Sequence, residues 1–566
     1  MTPTVRSHHA ASRAVLFVSA AAMLAGGIAL AQDKGKDRDH DRDFHFIPGT
    51  LVVSRSVYQG TASTVTIGET LPLGCQGGLT GLTVNVPTTS GGTTAVNVPC
   101  GVASDNGEYP NLLDSHNVWN NASSDGSFGV TSPIFLDDIT DFGLRLGSLP
   151  IPTDQIVTSF SSKSELALNR SIDGRSITFM GYVGGVGCGG STISPTGPSL
   201  LDVSASNTPG VCDPTNPVFT TFQSDPFVPA AYYRGVAEVD ADGHLSVTEG
   251  NAYSGDNGRG AIKGGNGLYY MVGNDNSGNL SKKQISITQD GIDLVNATGA
   301  ELLFPGATPP TPPNIDMIGR LEFGTDKPGK DTNFRGLTIF NNTLYITKGS
   351  GGNGINTVYQ VGTAGTLPTG SAADLASVPI SILPGFPSTT ASTSTAFPFG
   401  IWFADASTLY VCDEGDGTLV SPPVNGNVAD AQSLATAGLQ KWRLINGSWV
   451  MQYVLQDGLN IGVPYSIEGY PASLNPATGG CRNIAGRHNW DGTVTIFAIT
   501  STISANGDTG ADPNKLVAVT DRVSDSTLPT GDFLLGHFFT IDSARAGEVL
   551  RGVALAPGDS DGGFGW

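Results

Sequence analysis

The chain of 566 residues has few charged side chains and lacks the short motifs that mark several common enzyme classes. Asp, Glu, Lys and Arg make up 14% of the sequence, whereas soluble domains average about 25%. There is no Gly-x-Ser-x-Gly, no His-Glu-x-x-His and no phosphate-binding loop that ends in Gly-Lys-Ser or Gly-Lys-Thr. These absences argue against α/β-hydrolases, zinc-dependent proteases and P-loop nucleotide-binding proteins.

Long apolar runs are absent beyond residue 31, so no later segment is predicted to cross a membrane. Residues 1–31 contain two Arg, then the apolar run Ala14–Ala31, which ends in an Ala-x-Ala cleavage motif. This pattern predicts a secretory signal peptide. An uncleaved anchor is the alternative, although Gly26 and Gly27 interrupt the run. We expect a secreted protein, periplasmic or extracellular, with a charged flexible tether at residues 32–46.

Basic residues are in the minority. The 50 Asp and Glu against 29 Lys and Arg give a formal net charge of −21 at pH 7. A protein of this charge repels nucleic acid and anionic lipid. We therefore expect an extracellular glycan or protein as the partner, with no nucleic acid, no membrane insertion and a monomeric state.

Cysteine is also scarce, with six residues and no Cys-x-x-Cys pair. The spacings match no zinc motif, which disfavours a metal site. An even count in a secreted chain favours disulfides, although six cysteines allow many pairings. The first four bracket Gly- and Ser-rich segments, about 68–127 and 184–216, which we interpret as disulfide-stapled insertion loops. The expected pairs are Cys75 with Cys100, Cys188 with Cys212, and Cys412 with Cys481.

Glycine is abundant, with 76 residues, and it accompanies a repeated pattern. A short apolar run, usually after Gly, is followed by a tight polar turn and a second run rich in Val, Ile, Leu and Tyr. Each copy is predicted to be a β-hairpin. The continuous copies are Glu165–Val183, Arg259–Asn274, Arg335–Ser350, Phe399–Glu414 and Arg482–Thr500.

A sixth copy is divided between two distant segments. Arg551–Pro557 supplies the first half of the pattern and Gly49–Tyr58 the second half. Pairing of these segments would remove the unpaired edges of a radial array of sheets. The sequence predicts an all-β, six-bladed β-propeller over residues 47–566, closed by N- and C-terminal strands that share a blade. A seventh blade in the degenerate region before Gln155 is the alternative.

The segment Phe397–Asp416, followed by the strand Leu439–Leu444, resembles the NHL and regucalcin-like propeller repeat. Over nearly its full mature length the chain also looks like a group of secreted bacterial β-propeller proteins. That likeness is carried by SFGVTSPIFLDD, the blade around Lys163–Tyr182, the segment Cys481–Asp521 and the terminal RGVALAP. The resemblance implies a propeller fold and secretion, but it carries over no catalytic residue.

The repeats align at one residue that is followed by Gly in four copies. The aligned positions are Arg259, Arg335, Phe399 and Arg551, and more loosely Glu165 and Arg482. Equivalent positions of successive blades lie on a ring, so the guanidinium groups would converge near the mouth of the central channel. There they would suit a carboxylate or phosphate. Alternatively, each Arg binds an acid or a main-chain carbonyl of a neighbouring blade and ties the blades together.

Two further side chains are candidates for acid-base chemistry. His488 lies in the same repeat as Arg482, and Tyr253 shortly precedes Arg259. Either could act as a general base. A hydrogen-bonded structural role is the alternative for His488.

Two acidic loops carry oxygen donors at the short intervals that a calcium ion needs. Neither matches a complete EF-hand loop, and Asp-Gly turns also occur for backbone reasons alone. Calcium is the one cofactor that the sequence suggests. The candidate ligands are Asp413 and Asp416 in one loop, and Asn506, Asp508 and Asp512 in the other.

Three functional hypotheses stay open at the level of the sequence. The first is a propeller that binds an extracellular partner or an anionic saccharide at the channel mouth without catalysis. The second is a polysaccharide lyase, in which Arg259, Arg335 and Arg482 neutralise a uronate carboxylate and His488 or a Tyr removes the proton. The third is a metal-dependent ester or lactone hydrolase with Glu165 as a ligand, which a cationic ring disfavours.

Overall fold

The computed structural model describes most of the chain between residues 44 and 558. The predicted signal peptide, residues 32–43 of the predicted tether and the insertion at 184–216 lie outside the described residues. Short strands within residues 70–129 and 286–317 are described by their backbones. The other described ranges are 44–58, 131–153, 155–183, 234–250, 253, 257–274, 333–349, 354–424, 427–429, 435–470, 472–504 and 510–558. They belong to one compact unit, Phe44–Trp566.

Nearly all regular structure in these residues is β-strand. One short helix, α1, spans Ala372–Ala376, and two 3-10 turns span Ala391–Thr393 and Ala472–Leu474. The strands are β1 (Leu51–Val57), β2 (Thr70–Leu71), β3 (Leu82–Pro87), β4 (Thr93–Val98), β5 (Gly101–Val102), β6 (Asn120–Asn121), β7 (Asp125–Gly129), β8 (Thr131–Ser132), β9 (Ile134–Ile139), β10 (Arg145–Pro150), β11 (Ile156–Ser159), β12 (Asn169–Arg170), β13 (Ser176–Val183), β14 (Arg234–Asp240), β15 (Leu245–Gly250), β16 (Gly258–Lys263), β17 (Tyr269–Gly273), β18 (Ser286–Thr288), β19 (Gly291–Asp293), β20 (Ala300–Leu303), β21 (Ile315–Met317), β22 (Leu337–Phe340), β23 (Thr343–Lys348), β24 (Thr357–Val361), β25 (Ile380–Ile382), β26 (Pro398–Asp405), β27 (Thr408–Asp413), β28 (Leu419–Val424), β29 (Asn427–Ala429), β30 (Gly438–Ile445), β31 (Ser448–Leu455), β32 (Ala477–His488), β33 (Thr493–Ile503), β34 (Lys515–Arg522), β35 (Phe538–Ser543) and β36 (Glu548–Leu555).

Within the described residues, five four-stranded antiparallel sheets form the blades of a β-propeller. Blade 1 has the strand order β16-β17-β20-β21, and blade 2 has β22-β23-β24-β25. Blade 3 is β26-β27-β30-β31, and blade 4 is β32-β33-β34-β35. The closing blade has the order β36-β1-β9-β10. The all-β propeller prediction is confirmed, but the predicted count of six or seven blades is wrong.

The blade count differs because one predicted hairpin copy, Glu165–Val183, belongs to a larger and less regular sheet. This sheet has the order β15-β14-β13-β11-β8, and β12 pairs with β13 beside β11. Val157 of β11 pairs with Tyr182 at one end of β13, and Asn169 of β12 pairs with Thr178 further along. Two short strands thus share the edge that a single innermost strand occupies in the four-stranded blades.

The closing blade unites segments from opposite ends of the described chain. β1 lies between β36 and β9 and is antiparallel to both. Leu51 pairs with Leu555, and Val57 pairs with Glu548. The predicted pairing of the Gly49–Tyr58 and Arg551–Pro557 segments is therefore confirmed.

The remaining predicted hairpins are found as the first two strands of blades 1 to 4. Blade 2 shows why the turns are tight. Phe340 pairs with Thr343, and the two connecting residues Asn341 and Asn342 have φ values of 46° and 55°. A two-residue hairpin turn with both residues at positive φ matches the right-handed twist of the strands, and Asn tolerates that conformation well.

The innermost strands contact one another in a closed cycle. The cycle passes through the five blades and the six-stranded sheet, which contributes β12. It runs from β36 to β12, β16, β22, β26, β32 and back to β36. Apolar side chains fill the spaces between adjacent sheets, as between blades 3 and 4, where Leu439, Tyr453, Ile496 and Val517 belong to one buried cluster. No helix among the described residues is long and apolar enough to cross a membrane.

Candidate functional site

The residues aligned in the sequence lie at equivalent places in the fold. Arg259, Arg482 and Arg551 are in the innermost strands β16, β32 and β36, while Arg335 precedes β22 and Glu165 precedes β12. All five are buried, with 2% to 5% of their surface exposed. The position that repeats along the sequence is thus also a position that repeats around the ring.

Arg259 connects the sheets on both sides of blade 1. Its Nε donates a hydrogen bond to Ser164 Oγ at 2.8 Å, in the segment that leads into β12. Its Nη1 donates to Asn333 Oδ1 and, at 2.9 Å, to the carbonyl oxygen of Phe334, which precedes blade 2. The guanidinium group therefore bridges three consecutive sheets.

Arg551 makes a similar connection from the closing blade. Its Nε donates to Ser56 Oγ of β1 at 3.1 Å. Its Nη1 and Nη2 donate to the carbonyl oxygens of Ser162 and Phe160. These two residues lie between β11 and β12 of the neighbouring six-stranded sheet. Main-chain carbonyls thus act as the acceptors for this buried cation.

Arg482 is paired with an acid across the interface between blades 3 and 4. Its Nε lies 2.9 Å from Glu414 Oε2, and the side chains are 6% and 2% exposed. Glu414 directly follows β27. Arg335 is 5% exposed, and its main-chain N–H donates to Thr347 O at 2.8 Å.

Glu165 has protein donors on both carboxylate oxygens. Oε1 accepts hydrogen bonds from Tyr182 and, at 2.9 Å, from Asn257 Nδ2. Oε2 accepts from Thr158 Oγ1 at 3.1 Å and from the N–H of Ser159 at 3.4 Å. The carboxylate thus joins strands β11 and β13 to the segment that leads into blade 1.

The glycine that follows the aligned residue allows the innermost strands to approach closely. A Cβ atom at Gly336 would lie 2.0 Å from Phe399 O, and one at Gly400 would lie 2.4 Å from Arg482 O. Asn483 takes this place in blade 4, and its Oδ1 accepts from the N–H of Val553 in the closing blade at 2.6 Å. Only a residue without a side chain fits the first two positions.

These contacts support the interpretation that Arg259, Arg482 and Arg551 tie neighbouring sheets together. A buried cation is tolerated when protein acceptors replace its hydration. The predicted role of the aligned residues in binding a ligand stays a prediction.

The two predicted acid-base residues lie apart from one another. His488 is exposed at the end of β32, where Nε2 donates to Ala404 O at 2.7 Å. It follows Arg482 by six residues on one extended strand, a distance of about 20 Å. Tyr253 is fully buried with φ of 61° and packs against Met180 and Tyr269.

The predicted calcium ligand Asp413 is surrounded by hydrogen-bond donors. Oδ2 accepts from the N–H of Phe397 and from Gln440 Nε2, both at 2.9 Å, and Oδ1 accepts from Gly415 N at 3.0 Å. Burial raises the pKa of Asp413 to about 7, although the main-chain hydrogen bonds act in the opposite direction. Asp416 Oδ1 accepts from Thr418 N.

The second predicted calcium loop is described only at Asp512. This residue is buried, and Oδ1 accepts from the Tyr470 hydroxyl at 2.7 Å. Asn506 and Asp508 lie outside the described residues. Calcium binding at either loop therefore stays a prediction.

One disulfide lies within the described residues. Cys412 of β27 and Cys481 of β32 form a disulfide with a Cα to Cα distance of 5.2 Å. This predicted pair is confirmed, and it links blades 3 and 4. Cys75, Cys100, Cys188 and Cys212 lie outside the described residues.

A cleft of about 440 Å³ opens between blade 4 and the closing blade. The turn between β9 and β10 forms one wall with Asp141 and Phe142, and β32 contributes Arg487. The other wall consists of side chains from β33, β34 and β35. These are Thr495, Phe497, Ala518, Thr520, Phe539, Thr540 and Ile541. Polar and aromatic groups thus face a common space that is open to solvent.

An ion pair spans the cleft. Arg487 Nη2 lies 2.9 Å from Asp141 Oδ2, and the two side chains are 33% and 44% exposed. Arg487 Nη1 also donates to Gly49 O at 3.3 Å, and its guanidinium carbon lies 5.6 Å from the centre of the Phe497 ring. Unlike the aligned arginines, this one reaches solvent.

Aromatic rings are exposed at the edges of the cleft. Phe142 is 72% exposed and Phe539 is 38% exposed. Next to Phe539, the rings of Phe533 and His537 lie within 5.3 Å of its centre. Exposed aromatic groups beside a cleft are typical of sites that bind a ligand or partner.

The sequence interpretation missed this cleft because its walls come from segments more than 300 residues apart. Two signals were available. Phe142 lies at a turn tip, TDFGL, where polar residues are the norm, and Phe533 lies in the loop TGDFLLG. Exposed apolar residues carry information about binding only when several of them lie together, and their grouping is not visible in the sequence.

No protein-family model matches the chain, and no curated protein matches it either.

Proposed function

We propose that the protein is a secreted β-propeller that binds an extracellular glycan or protein partner without catalysing a reaction. The observation that carries the proposal is the contrast between two sets of polar groups. Arg259, Arg482 and Arg551 donate to protein acceptors inside the ring. Arg487, Asp141 and two Phe rings instead face solvent in a cleft. A set of solvent-facing groups can exchange its hydration for contacts with a partner.

A lyase needs an arginine and a base on the same sugar unit, within hydrogen-bond reach of the carboxylate and the proton. Arg482 is paired with Glu414, and His488 lies about 20 Å further along the strand. This geometry favours binding over the lyase hypothesis. If the aligned arginines bind the ligand, the binding hypothesis predicts an anionic saccharide at the channel mouth.

The experiment is a binding and turnover assay on the chain without residues 1–31. The probes are polygalacturonate, alginate, xylan, cellulose and chitin. Retention by each polysaccharide is measured by co-sedimentation or affinity electrophoresis, while ultraviolet absorbance and reducing ends report any product. We expect saturable retention by at least one polysaccharide, no new absorbance and no effect of a chelator.

Two results would contradict the proposal. Time-dependent product would make the protein an enzyme, and new ultraviolet absorbance would identify the lyase hypothesis. Retention by none of the polysaccharides would remove the glycan from the proposal. The variant Arg335→Gln separates the channel mouth from other sites, since only binding at the mouth depends on the aligned arginines.

A further inference from the structure

The cleft has the size of a small-ligand site. Its volume of about 440 Å³ lies within the range of about 300 to 1,000 Å³ that ligand pockets usually have. It lies between blade 4 and the turn that joins β9 to β10. It shares one strand with the aligned arginines, because Arg487 follows Arg482 by five residues and lies near the end of β32.

The turn that carries Phe142 is fixed against blade 4. Gly143 has φ of 91°, and a Cβ atom at this position would lie 2.2 Å from the carbonyl oxygen of Ile541 in β35. Any other residue would be strained and would displace the turn. The backbone of the turn therefore keeps Phe142 beside the cleft, although 72% of the residue's surface is exposed.

The aromatic side chains can provide flat apolar surfaces for a sugar ring. Phe142 and Phe539 are both lining residues and both exposed. The face of an aromatic ring is electron-rich and attracts the weakly positive C–H groups that pyranose rings present on one side. Such stacking suits a ligand that has one apolar face and hydroxyl groups around its edge.

The polar groups of the cleft match the edge of the same kind of ligand. Arg487 offers several N–H donors and Asp141 offers carboxylate acceptors, and they already form an ion pair at 2.9 Å. The hydroxyl groups of Thr495, Thr520 and Thr540 both donate and accept. Neighbouring sugar hydroxyls also donate and accept, so they can bond to either type of group.

The charges of the cleft favour a neutral ligand. Arg487 is balanced by Asp141, and the nearby Arg145 is balanced by Asp542 at 3.1 Å. The whole chain carries a net charge of −21, which repels a polyanion. A polyuronate would therefore gain little here, whereas a neutral sugar loses nothing by the repulsion.

From these observations we propose that the cleft formed by Phe142, Phe539, Arg487 and Asp141 binds a neutral oligosaccharide. This inference rests on the proposed binding function and names its site and ligand class. It differs from the channel-mouth hypothesis both in place and in ligand charge.

The test is isothermal titration calorimetry of the chain without residues 1–31. The probes are cellohexaose, xylohexaose, laminarihexaose and chitohexaose, with hexagalacturonate as the anionic comparison. We expect at least one neutral probe to bind and the anionic one not to bind. Phe142→Ala and Phe539→Ala should each weaken binding about tenfold through lost stacking, and Arg487→Gln should do the same through lost hydrogen bonds.

Trp490→Ala is the matched control. Trp490 is 99% exposed on the turn between β32 and β33 and does not line the cleft. Its loss should leave the affinity unchanged, and melting curves verify that every variant is folded.

Each contrary outcome has a distinct meaning. If no probe binds, both the inference and the proposed glycan-binding function are overturned. If a neutral probe binds equally well to the cleft variants, the inference fails while the proposed function stands. Binding of hexagalacturonate alone, abolished by Arg335→Gln, would place the site at the channel mouth and overturn the inference.

Discussion

The two faces of blade 4 differ in how far their burial extends. The face toward the closing blade is buried at Ile499 and Leu516 but opens into the cleft further along. On β34, Val517, Val519 and Asp521 face blade 3 and are at most 2% exposed, within a continuous buried interface. The alternate residues Ala518 and Thr520 face the closing blade and line the cleft. Successive residues of a strand point to opposite sides of the sheet. One strand therefore supplies a dry structural face and a partly hydrated one.

Polar groups have different surroundings on the two faces of blade 4. Toward blade 3, Lys441 Nζ and Asp521 Oδ2 lie 2.9 Å apart with no exposed side-chain surface, and Tyr410 and Tyr453 donate to the same carboxylate. Toward the closing blade, Arg487 and Asp141 keep contact with water. Polar groups on the dry face need internal partners, whereas those on the cleft face can exchange water for a ligand.

The largest expected effect comes from breaking the buried pair. Asp521→Asn should lower the free energy of unfolding by about 3 to 5 kcal/mol, because Lys441 would remain buried without its counter-charge. Urea unfolding followed by fluorescence measures the change. Asp242→Asn is the control, because its pairing with His45 is more than half exposed and should contribute less than about 1 kcal/mol. Equal effects in the two variants would contradict the description of the blade 3 face as dry.

A pH-dependent effect is expected from Asp413, at the end of β27 on the same interface. Its pKa is raised to about 7 by burial, from 3.8 in the unfolded chain. Between these values the folded state keeps a proton that the unfolded state has lost, so stability falls as pH rises. The slope is about 1.4 kcal/mol per pH unit, on the order of 4 kcal/mol in total, and it ends above pH 7.

Unfolding free energies of the wild type and Asp413→Asn, measured from pH 4.5 to pH 8, test this slope. The measurements thus extend about one pH unit above the pKa of Asp413 in the folded state. The unfolding free energy of the variant should lack this slope, because an amide side chain does not titrate in this pH range. Identical pH profiles would show that Asp413 is ionised in the folded state.

Removal of the disulfide should have a slightly smaller effect. It closes a loop with a sequence separation of 69 residues, for which about 2 to 4 kcal/mol is typical. Cys412→Ala combined with Cys481→Ala should reduce the unfolding free energy by this amount and leave oligosaccharide binding unchanged, because the cleft is on the other face. A loss of binding in a folded double variant would show that the two faces are coupled.

The smallest effects give the most direct comparison, since they concern neighbours on one strand. Val519→Thr places a hydroxyl on the dry face and should cost about 1 to 3 kcal/mol. Thr520→Val removes a hydroxyl from the cleft and should change stability by less than about 0.5 kcal/mol. Thermal unfolding of both variants tests the contrast. A reversed order would mean that the assignment of the two faces is wrong.

The sequence predicted those features that depend on local pattern. Alternating apolar residues and tight turns located the hairpins, and the divided copy predicted that β1 and β36 share a blade. The order of the six cysteines along the chain predicted the pair of Cys412 and Cys481. Each of these signals lies within a short segment or in the likeness between two segments.

The missed features depend on contacts that no local pattern contains. The Glu165–Val183 copy resembles the other hairpins, but β13 pairs with both β11 and β12, which made the blade count wrong. The aligned arginines were found correctly as equivalent positions. Their acceptors, such as Ser162 O and Phe334 O, are main-chain atoms that carry no sequence signal.

The closing blade also has a consequence for how the chain folds. The Gly552 N–H donates to Ser54 Oγ across a separation of 498 residues. Contacts of such long range form slowly, because closing a long loop costs entropy before the pairing stabilises it. Until β1 and β36 meet, each presents an unpaired edge that other chains can extend. Completion of this one blade therefore ends the period in which the nascent protein is most prone to aggregate.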